Sequence, residues 1–338
     1  MKSKIIFSIL AIFIALVACL MTWSIFILKP IGGDKVVAIE IAPNTSYRQI
    51  GQNLQDKGIV RSHLAFDIYV LATGQYSKLK AGRYLLNVSD STQNIAAILA
   101  GGRVANYQLT IPEGLTIKET DQYLVDHYSV YGFGLGQFTN LVANTNYPTD
   151  LLNNFPNIKD NGGEGLYLGD TFDFANQITE ISLAQKMLDN FSVKVLPSFS
   201  QSLPAPLTSK YEALILASIV EKEAITQKDR QIVAGIFLKR LSEGQFLQSD
   251  ATVAYGLGQT TKKVLDAVDI ASDTPYNTYL YKGLPKAPIT NPSLISIEAV
   301  FQPTLTDYNY FLSDKSGNLH FAVTYEEHLQ NRAKYIGE

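Results

Sequence analysis

A long uncharged stretch opens the chain. It runs from Ile5 to Leu28, a length of 24 residues, with two lysines before it. A helix of that length, rising about 1.5 Å per residue, spans the hydrocarbon core of a bilayer, which is about 30 Å thick. Lysines on the amino-terminal side favour an N-terminus inside the cell. The pattern predicts a cytoplasmic tail at 1–4, a single transmembrane helix at 5–28 and a body outside the cytoplasmic membrane.

Two alternatives for this stretch stay open. A cleaved signal peptide has a shorter apolar core, of roughly 7–15 residues. The segment Leu16–Cys19 resembles a lipoprotein processing site, which would place a lipid on Cys19. We favour the uncleaved anchor because the apolar run continues past Cys19 to Leu28, where a lipoprotein would become polar. All three alternatives place the body outside the cytoplasm.

Residues 34–105 carry strand and helix patterns in turn. An alternating apolar run predicts a half-buried strand, two capped helices follow, a second strand returns, and a further helix closes the segment. The order strand–helix–helix–strand is similar to LysM-type modules, which bind glycans containing N-acetylglucosamine. A spacer domain without a ligand is the alternative. The pattern rests on Val37, Ile39 and Ile41 in the first strand, Ser46, Ser62 and Ser91 at the helix starts, and 82–86 as the second strand.

The remaining residues, 106–338, combine one early strand with longer helices. Tyr107–Ile111 alternates as a strand, and helical spacing predicts helices at 209–224 and 226–244. Segments rich in Gly, Pro, Asn and Tyr follow and are predicted as loops. The predicted fold class is therefore α+β, with an N-terminal single transmembrane helix, a small LysM-like βααβ module and a larger α+β domain.

Composition and charge exclude several classes of function. The net charge of −3 leaves no basic excess to neutralise nucleic-acid phosphates. Cys19 is the single cysteine, and the four histidines do not have the spacing of a metal motif such as HExxH. We therefore expect no metal site, no cofactor and no nucleic-acid partner.

Glu221 is the first candidate for chemistry. It shares one face of the predicted helix with Leu214 and Ser218, whereas Lys222 and Glu223 are expected to be solvated. A carboxyl at the edge of packed apolar surface has a raised pKa, because burial penalises its charged form, and it can act as a general acid near neutral pH. Position alone favours an ordinary surface glutamate.

Polar and aromatic side chains are concentrated in the predicted loops at 246–258, 272–279 and 283–292. Amides and carboxylates can bind sugar hydroxyls, and tyrosine rings can pack on the apolar faces of pyranose rings. The alternative is that these residues build turns and fill core edges. The candidate substrate-binding residues are Ser218, Gln248, Asp250, Tyr255, Asn277 and Tyr279.

The segment Ala217–Glu223 resembles the active-site helix of the endolytic murein transglycosylases, the YceG-like family. Similar segments continue in order along nearly the whole chain. The resemblance implies that 106–338 is a YceG-like catalytic domain and that Glu221 is its catalytic residue. The other matching segments are Glu113–Gly114, 164–171, 247–256, 274–279, 283–285, 310–311, 320–321 and 327–328.

The resemblance also implies a reaction and its partners. A lytic transglycosylase cleaves the β-1,4 bond between N-acetylmuramic acid and N-acetylglucosamine inside peptidoglycan strands and leaves a 1,6-anhydro end. Glu221 would protonate the glycosidic oxygen and then accept the proton of the muramoyl 6-hydroxyl, without a cofactor. The expected partners are nascent glycan strands and the membrane-bound glycan polymerases that make them.

Two other functions stay open. A peptidoglycan hydrolase would use Glu221 together with a second carboxylate, for which Asp250 is the candidate. A non-catalytic, membrane-tethered scaffold would bind glycan and cleave nothing. In the transglycosylase interpretation, Gln248, Asp250, Asn277 and Tyr279 hold sugar or orient Glu221.

Overall fold

The structure, a computed structural model, describes residues 28–33, 35–102, 107–174, 178–260 and 265–337. They divide into two compact units. The first contains the described residues up to Leu109, together with Val130–Gly132 and those of Phe172–Thr179; the second contains Thr110–Ser129, Phe133–Thr171 and the rest of the chain from Glu180.

The first unit is built on one antiparallel strand pair. Strand β1 (Val36–Ile41) pairs with a second strand so that Val36 lies opposite Asn87 and Ile41 opposite Gly82. Two helices lie between the strands in sequence, and a third follows, which is the order that the pattern predicts. The elements after β1 are α1 (Tyr47–Asp56), α2 (His63–Ala72), β2 (Gly82–Asn87), α3 (Thr92–Gly101) and β3 (Tyr107–Thr110).

Local caps start the helices of this unit. The side-chain hydroxyls of Ser46, Ser62 and Ser91 accept hydrogen bonds from backbone amides in the first turns of α1, α2 and α3. Such caps satisfy amides that have no partner within the helix. The helices then bury one face against the strands. The core of the unit includes Ile39, Leu54, Phe66, Val70, Leu86 and Leu99.

The transmembrane helix of the predicted fold class is not supported, and that element of the prediction is wrong for the described chain. None of the helices in the described ranges is both long and apolar enough to cross a membrane. The stretch that carried the prediction, 5–28, lies outside the described residues apart from Leu28. The tail at 1–4 and Cys19 also lie outside them. The fold class is corrected to α+β.

The second unit is mainly helical. A hairpin of β5 with β6 precedes the last helix. The predicted loop at 246–258 contains a short helix whose Thr252 and Val253 are buried. Strand β4 (Thr171–Phe174), which pairs with β3, belongs to the first unit from Phe172 onward. The elements of the second unit are α4 (Ile117–Tyr128), α5 (Gln137–Ala143), α6 (Thr149–Asn154), α7 (Glu180–Asn190), α8 (Lys210–Glu223), α9 (Gln227–Ser242), α10 (Asp250–Gly256), α11 (Ala267–Ile270), α12 (Leu294–Phe301), β5 (Tyr310–Ser313), β6 (Leu319–Ala322) and α13 (Tyr325–Tyr335).

Helix α8 lies at the centre of this unit and packs against α9 and α12. It begins at Ser209, whose hydroxyl accepts the Glu212 amide in a capping box, and nearly every residue from Tyr211 to Val220 is buried. A helix that is buried on all sides has a fixed position, because its apolar side chains are enclosed by neighbours. Its carboxyl-terminal turn, which carries Glu221, is therefore held rigidly.

Candidate active site

The carboxylate of Glu221 is held by hydrogen bonds at the end of α8. Its Oε1 accepts a hydrogen bond from Arg230 Nη2 at 2.9 Å. Its Oε2 accepts one from the Ser293 backbone amide at 2.9 Å and one from Ser293 Oγ at 2.5 Å. The side chain is only 7% exposed. The surroundings are thus polar donors, where the helix pattern suggested apolar groups.

Arg230 connects this carboxylate to its neighbours. It lies in the first turn of α9 and donates from Nε to the carbonyl of Ala224, at 3.0 Å, just past the end of α8. It also donates from Nη1 to Ser293 Oγ at 2.8 Å. Its side chain is 11% exposed. Because all three nitrogens of the guanidinium are used, Arg230 fixes both the helix end and the serine around Glu221.

The backbone of Gly114 approaches Glu221 from a third direction. Gly114 has a φ of +72°, and a Cβ built on it would lie 3.0 Å from Glu221 Oε1. Its amide donates to the carbonyl of Asn291 at 3.0 Å, and its carbonyl accepts from Thr290 Oγ1 at 2.5 Å. Glycine is needed here because a side chain would be strained by the positive φ and would also press against the carboxylate.

Glu113, next to Gly114, provides a second carboxyl close to Glu221. Partial burial raises the pKa of Glu113, and the negative charge of Glu221 raises it further, while the charge of Arg230 acts in the opposite direction. The negative charge of Glu221 disfavours the ionised form of Glu113, because like charges repel. Glu113 belongs to a segment that resembles the YceG-like family, but the sequence alone predicted no role for it.

A buried glutamate supports the loops around the site. Burial raises the pKa of Glu164 to about 8. Its carboxyl accepts hydrogen bonds from the Ile117 amide at 3.0 and 3.2 Å, from Asn291 Nδ2 at 2.9 Å and from the Tyr255 hydroxyl at 3.4 Å. Asn291 in turn accepts the amides of Gly165 and Tyr167 on its Oδ1, each at 2.9 Å. This network holds the 289–293 segment, which carries Ser293, against the segment that carries Gly114.

Three of the predicted substrate-binding residues have internal partners. Ser218 is fully buried; its hydroxyl donates to Ile215 O at 2.7 Å and accepts the Ile289 amide at 3.0 Å, so it fastens the 289–293 segment to α8. Asn277 is 1% exposed and donates to the carbonyls of Ile270 and Ser272, each at 2.8 Å. The rings of Tyr255 and Tyr276 pack edge to face, with 4.8 Å between their centres, and the Tyr255 hydroxyl donates a hydrogen bond to Glu164.

The other three predicted residues form a separate group near Glu223. The Tyr279 hydroxyl donates to Asp250 Oδ1 at 2.6 Å. Gln248 is exposed and has a φ of +53°, which is unusual for a residue with a side chain. Within the described chain, the hydrogen bonds to Glu221 come from Arg230 and Ser293, and none comes from this group.

The expectation that Glu223 is solvated is wrong. It is only partly exposed, and its Oε1 accepts a hydrogen bond from Ser249 Oγ at 2.5 Å. Burial, together with the charge of Asp250, raises the pKa of Glu223 to about 7, although the hydrogen bond from Ser249 acts in the opposite direction. Lys222 is exposed and lies 3.5 Å from Glu119 in an ion pair. Across the described ranges, no group of three or more His, Cys, Asp and Glu side chains could hold a metal ion.

Sequence reasoning missed Arg230 and Ser293, although both left a signal. Arg230 stands at the helical spacing of the buried positions Val233 and Phe237, and a cation in a buried stripe requires a charged partner. Ser293 directly precedes α12 and caps it by accepting the Ser296 amide. A serine that caps a helix is held in a fixed position, so its hydroxyl can also contact a second group, which here is Glu221.

The chain is similar to known proteins over most of its length. A model of the YceG-like family matches residues 39–334. The chain is 32% identical over 327 residues to an endolytic murein transglycosylase of Streptococcus pneumoniae strain D39, with 89% of this chain and 59% of that protein covered. It is 29% identical over 322 residues to an endolytic murein transglycosylase of Bacillus subtilis, covering 92% of this chain and 88% of that protein.

A solved structure is similar as well. The crystal structure of a yceG-like protein from Listeria monocytogenes superposes with a TM-score of 0.58 at 28% sequence identity, covering 88% of this chain and 99% of that one. This chain therefore corresponds to almost the whole of the Listeria structure. It spans 59% of the length of the pneumococcal relatives.

Proposed function

Because the chain belongs to the YceG-like family, we propose that it is an endolytic murein transglycosylase with Glu221 as its catalytic residue. One observation carries the assignment of the residue. Glu221 stands in the segment that resembles the family's active-site helix, and Arg230 and Ser293 hold its carboxylate in one orientation through three hydrogen bonds. A carboxyl that transfers a proton must be placed accurately, and these contacts provide that placement.

The proposed reaction breaks and forms one bond at the same carbon. Glu221 donates a proton to the glycosidic oxygen between N-acetylmuramic acid and N-acetylglucosamine as the bond from that oxygen to the muramoyl C1 breaks. The resulting carboxylate is stabilised by the charge of Arg230 and the donors of Ser293. It then accepts the proton of the muramoyl 6-hydroxyl, whose oxygen closes on C1. Atoms balance without water, and the enzyme ends in the protonated state in which it began.

Glu113 has a supporting role in this proposal. Its carboxyl is coupled to that of Glu221, and its raised pKa favours the protonated form nearer neutral pH than an ordinary glutamate. Whenever Glu113 holds its proton, the carboxylate of Glu221 has no second negative charge beside it after the first proton transfer. Hydrolysis, the alternative reaction, would instead require an ionised second carboxylate to activate water or attack C1. Asp250, the candidate for that role, accepts a hydrogen bond from the Tyr279 hydroxyl.

The products of purified murein decide between these reactions. The described body, expressed without residues 1–27, is incubated with sacculi, and the fragments are weighed by mass spectrometry. Fragments ending in 1,6-anhydro-muramoyl residues, lighter by one water than reducing ends, support the proposal. Glu221→Gln should abolish them, whereas the exposed Glu326→Gln should not. Reducing ends throughout would show a hydrolase, and an equally active Glu221→Gln variant would contradict the catalytic assignment.

The remaining elements of the proposal concern place and partners. Murein lies outside the cytoplasmic membrane, so the body acts there, on nascent strands whose polymerisation it ends beside membrane-bound glycan polymerases. The first unit has the strand–helix–helix–strand order of LysM-type modules, which supports glycan binding by that unit. Retention of its 35–102 segment on insoluble murein, compared with the same segment on cellulose, tests the binding.

A further inference from the structure

A polar cavity of about 660 Å³ lies in the second unit, at the carboxyl-terminal end of α9. This volume is within the range of about 300–1,000 Å³ that is common for small-ligand sites. The cavity is separate from the residues that hold Glu221. It is lined by Lys239, Arg240, Glu243, Gly244, Gln245, Phe246, Gln248, Lys282, Asn309 and Tyr310.

Three cations line this cavity, and their contacts are with carbonyls and with an aromatic ring. Lys239 Nζ donates to the carbonyl of Asp307 at 3.3 Å, and Arg240 donates to the carbonyls of Leu247 and Asn309. Lys282 Nζ lies 5.5 Å from the centre of the Phe246 ring. Within the described parts of the chain, none of the three cations lies in an ion pair. Burial lowers the pKa of Arg240 and the negative charge of Glu223 opposes this, so Glu223 offsets part of the charge of Arg240, whereas Lys239 and Lys282 keep theirs.

The acidic group at the rim, Glu243, offsets part of the charge of the cations and leaves the lining positive. Glu243 accepts a hydrogen bond from the side-chain amide of Gln245 at 2.7 Å and has no cationic partner in the described chain. The positive charge of Arg240 also acts on His328, whose ring stacks on that of Tyr310 with 5.4 Å between the ring centres. Burial lowers the pKa of His328, and the charges of Arg332 and Arg240 lower it further. A neutral histidine beside the cavity leaves the cations as its dominant charges.

The wall of the cavity is connected to the helix that carries Glu221. Gln248 lines the cavity in a backbone conformation that is unfavourable for a residue with a side chain. Its amide donates to the carbonyl of Thr278 at 3.1 Å, and the next residue, Ser249, donates to Glu223. Glu223 follows Glu221 by two residues, a rise of about 3 Å along α8. The wall of the cavity is therefore joined through Ser249 and Glu223 to the helix end that carries Glu221.

We propose that this cavity binds the carboxylates of a peptide stem of the murein strand, an inference that rests on the proposed function. Neutral sugar hydroxyls do not require a positively charged lining, whereas the carboxylates of a short peptide are stabilised by one. The overall charge of −3 disfavours a long polyanion such as a nucleic acid.

The test compares murein strands with stems and strands from which an amidase has removed them. We expect Lys239→Gln/Lys282→Gln to raise the KM for stem-bearing strands about tenfold, since two charge-assisted contacts are lost, with kcat unchanged. The KM for stem-free strands should not change. The matched control is Lys334→Gln, which removes a lysine that also lies over an aromatic ring, 4.8 Å from the centre of Tyr335. Equal effects on both strands, or no effect, would overturn the proposal.

A binding experiment keeps this inference separate from the proposed function. The free stem peptide is titrated into the Glu221→Gln protein, which cannot cleave, and into the same protein with both lysines replaced. Weaker binding by the lysine variant, and by a peptide with amidated carboxyls, supports the cavity even if no strand is ever cut. Unchanged binding in both comparisons overturns it. Competition by inorganic phosphate alone, with no binding of the peptide, would show a general anion site and also contradict the proposal.

Discussion

At the scale of single residues, the candidate site depends on a charge pair removed from solvent. Arg230 and Glu221 are both largely buried, and each satisfies the other. Loss of one partner leaves an uncompensated charge, which costs far more than the pair contributes. Glu221 and Arg230 should therefore behave as one unit in mutational experiments.

Arg230→Gln should lower the unfolding free energy by about 3–5 kcal/mol. It should also lower the cleavage rate by about 100-fold, because a preorganised donor to the reacting carboxylate is lost. Urea denaturation and release of murein fragments measure the two effects. Arg230→Lys keeps the charge but cannot make all three guanidinium contacts, so it should recover only part of each. If Arg230→Gln and Glu221→Gln have strictly additive effects on stability, the two side chains are not coupled as described.

Gly114→Ala tests the close approach to Glu221. The new Cβ would lie 3.0 Å from Oε1, so we expect a loss of cleavage of about 100-fold together with backbone strain of about 1–3 kcal/mol. Gly58→Ala is the matched control, because Gly58 has a φ of +66° and open space around its Cβ position. It should show the strain in a denaturation curve and keep the activity. Equal loss of activity in both variants would assign the effect to strain alone.

At the scale of elements, the sequence predicted those features that depend on residues close together in the chain, such as the starts of helices. Serines that start α1, α2, α3 and α8 can be recognised because a cap involves residues only three positions apart. The contact of Ser293 with Glu221 joins residues 72 positions apart, and no periodicity reports it. Glu223 was misjudged for the same reason, since its partner Ser249 belongs to a segment that was predicted as loop.

Asn277 illustrates how a sugar-binding residue and a turn residue can have the same sequence signal. Its side chain donates to two carbonyls and accepts the amide of Tyr279 at 2.9 Å. Asn277→Ala should lower the unfolding free energy by about 1–3 kcal/mol, because buried carbonyls lose their donors. The KM for murein should stay the same once folded protein is compared at equal concentration. A raised KM with unchanged stability would restore a direct role in binding.

At the scale of the whole molecule, Glu164 should make stability depend on pH. Its pKa is about 8 in the folded protein, against an ordinary value of 4.5, so the folded state holds the proton more tightly. Stability is therefore greatest below pH 4.5 for this group and falls as pH rises towards 8, by at most about 1.4 kcal/mol per pH unit. Urea midpoints between pH 5 and about pH 8 should show this fall, and Glu164→Gln should flatten it. A steeper fall in the variant would refute the assignment.

The 289–293 segment also determines when the site can exist during synthesis. Thr290 bonds to Gly114 across 176 positions, and Ser293 completes the setting of Glu221. A ribosome adds residues in order, so the carboxylate of Glu221 emerges before the segment that holds it. Contacts between such distant parts of a chain form late and slowly. A nascent chain that stops short of Ser293 would lack a finished site, so the proposed cleavage can begin only after this segment has been made.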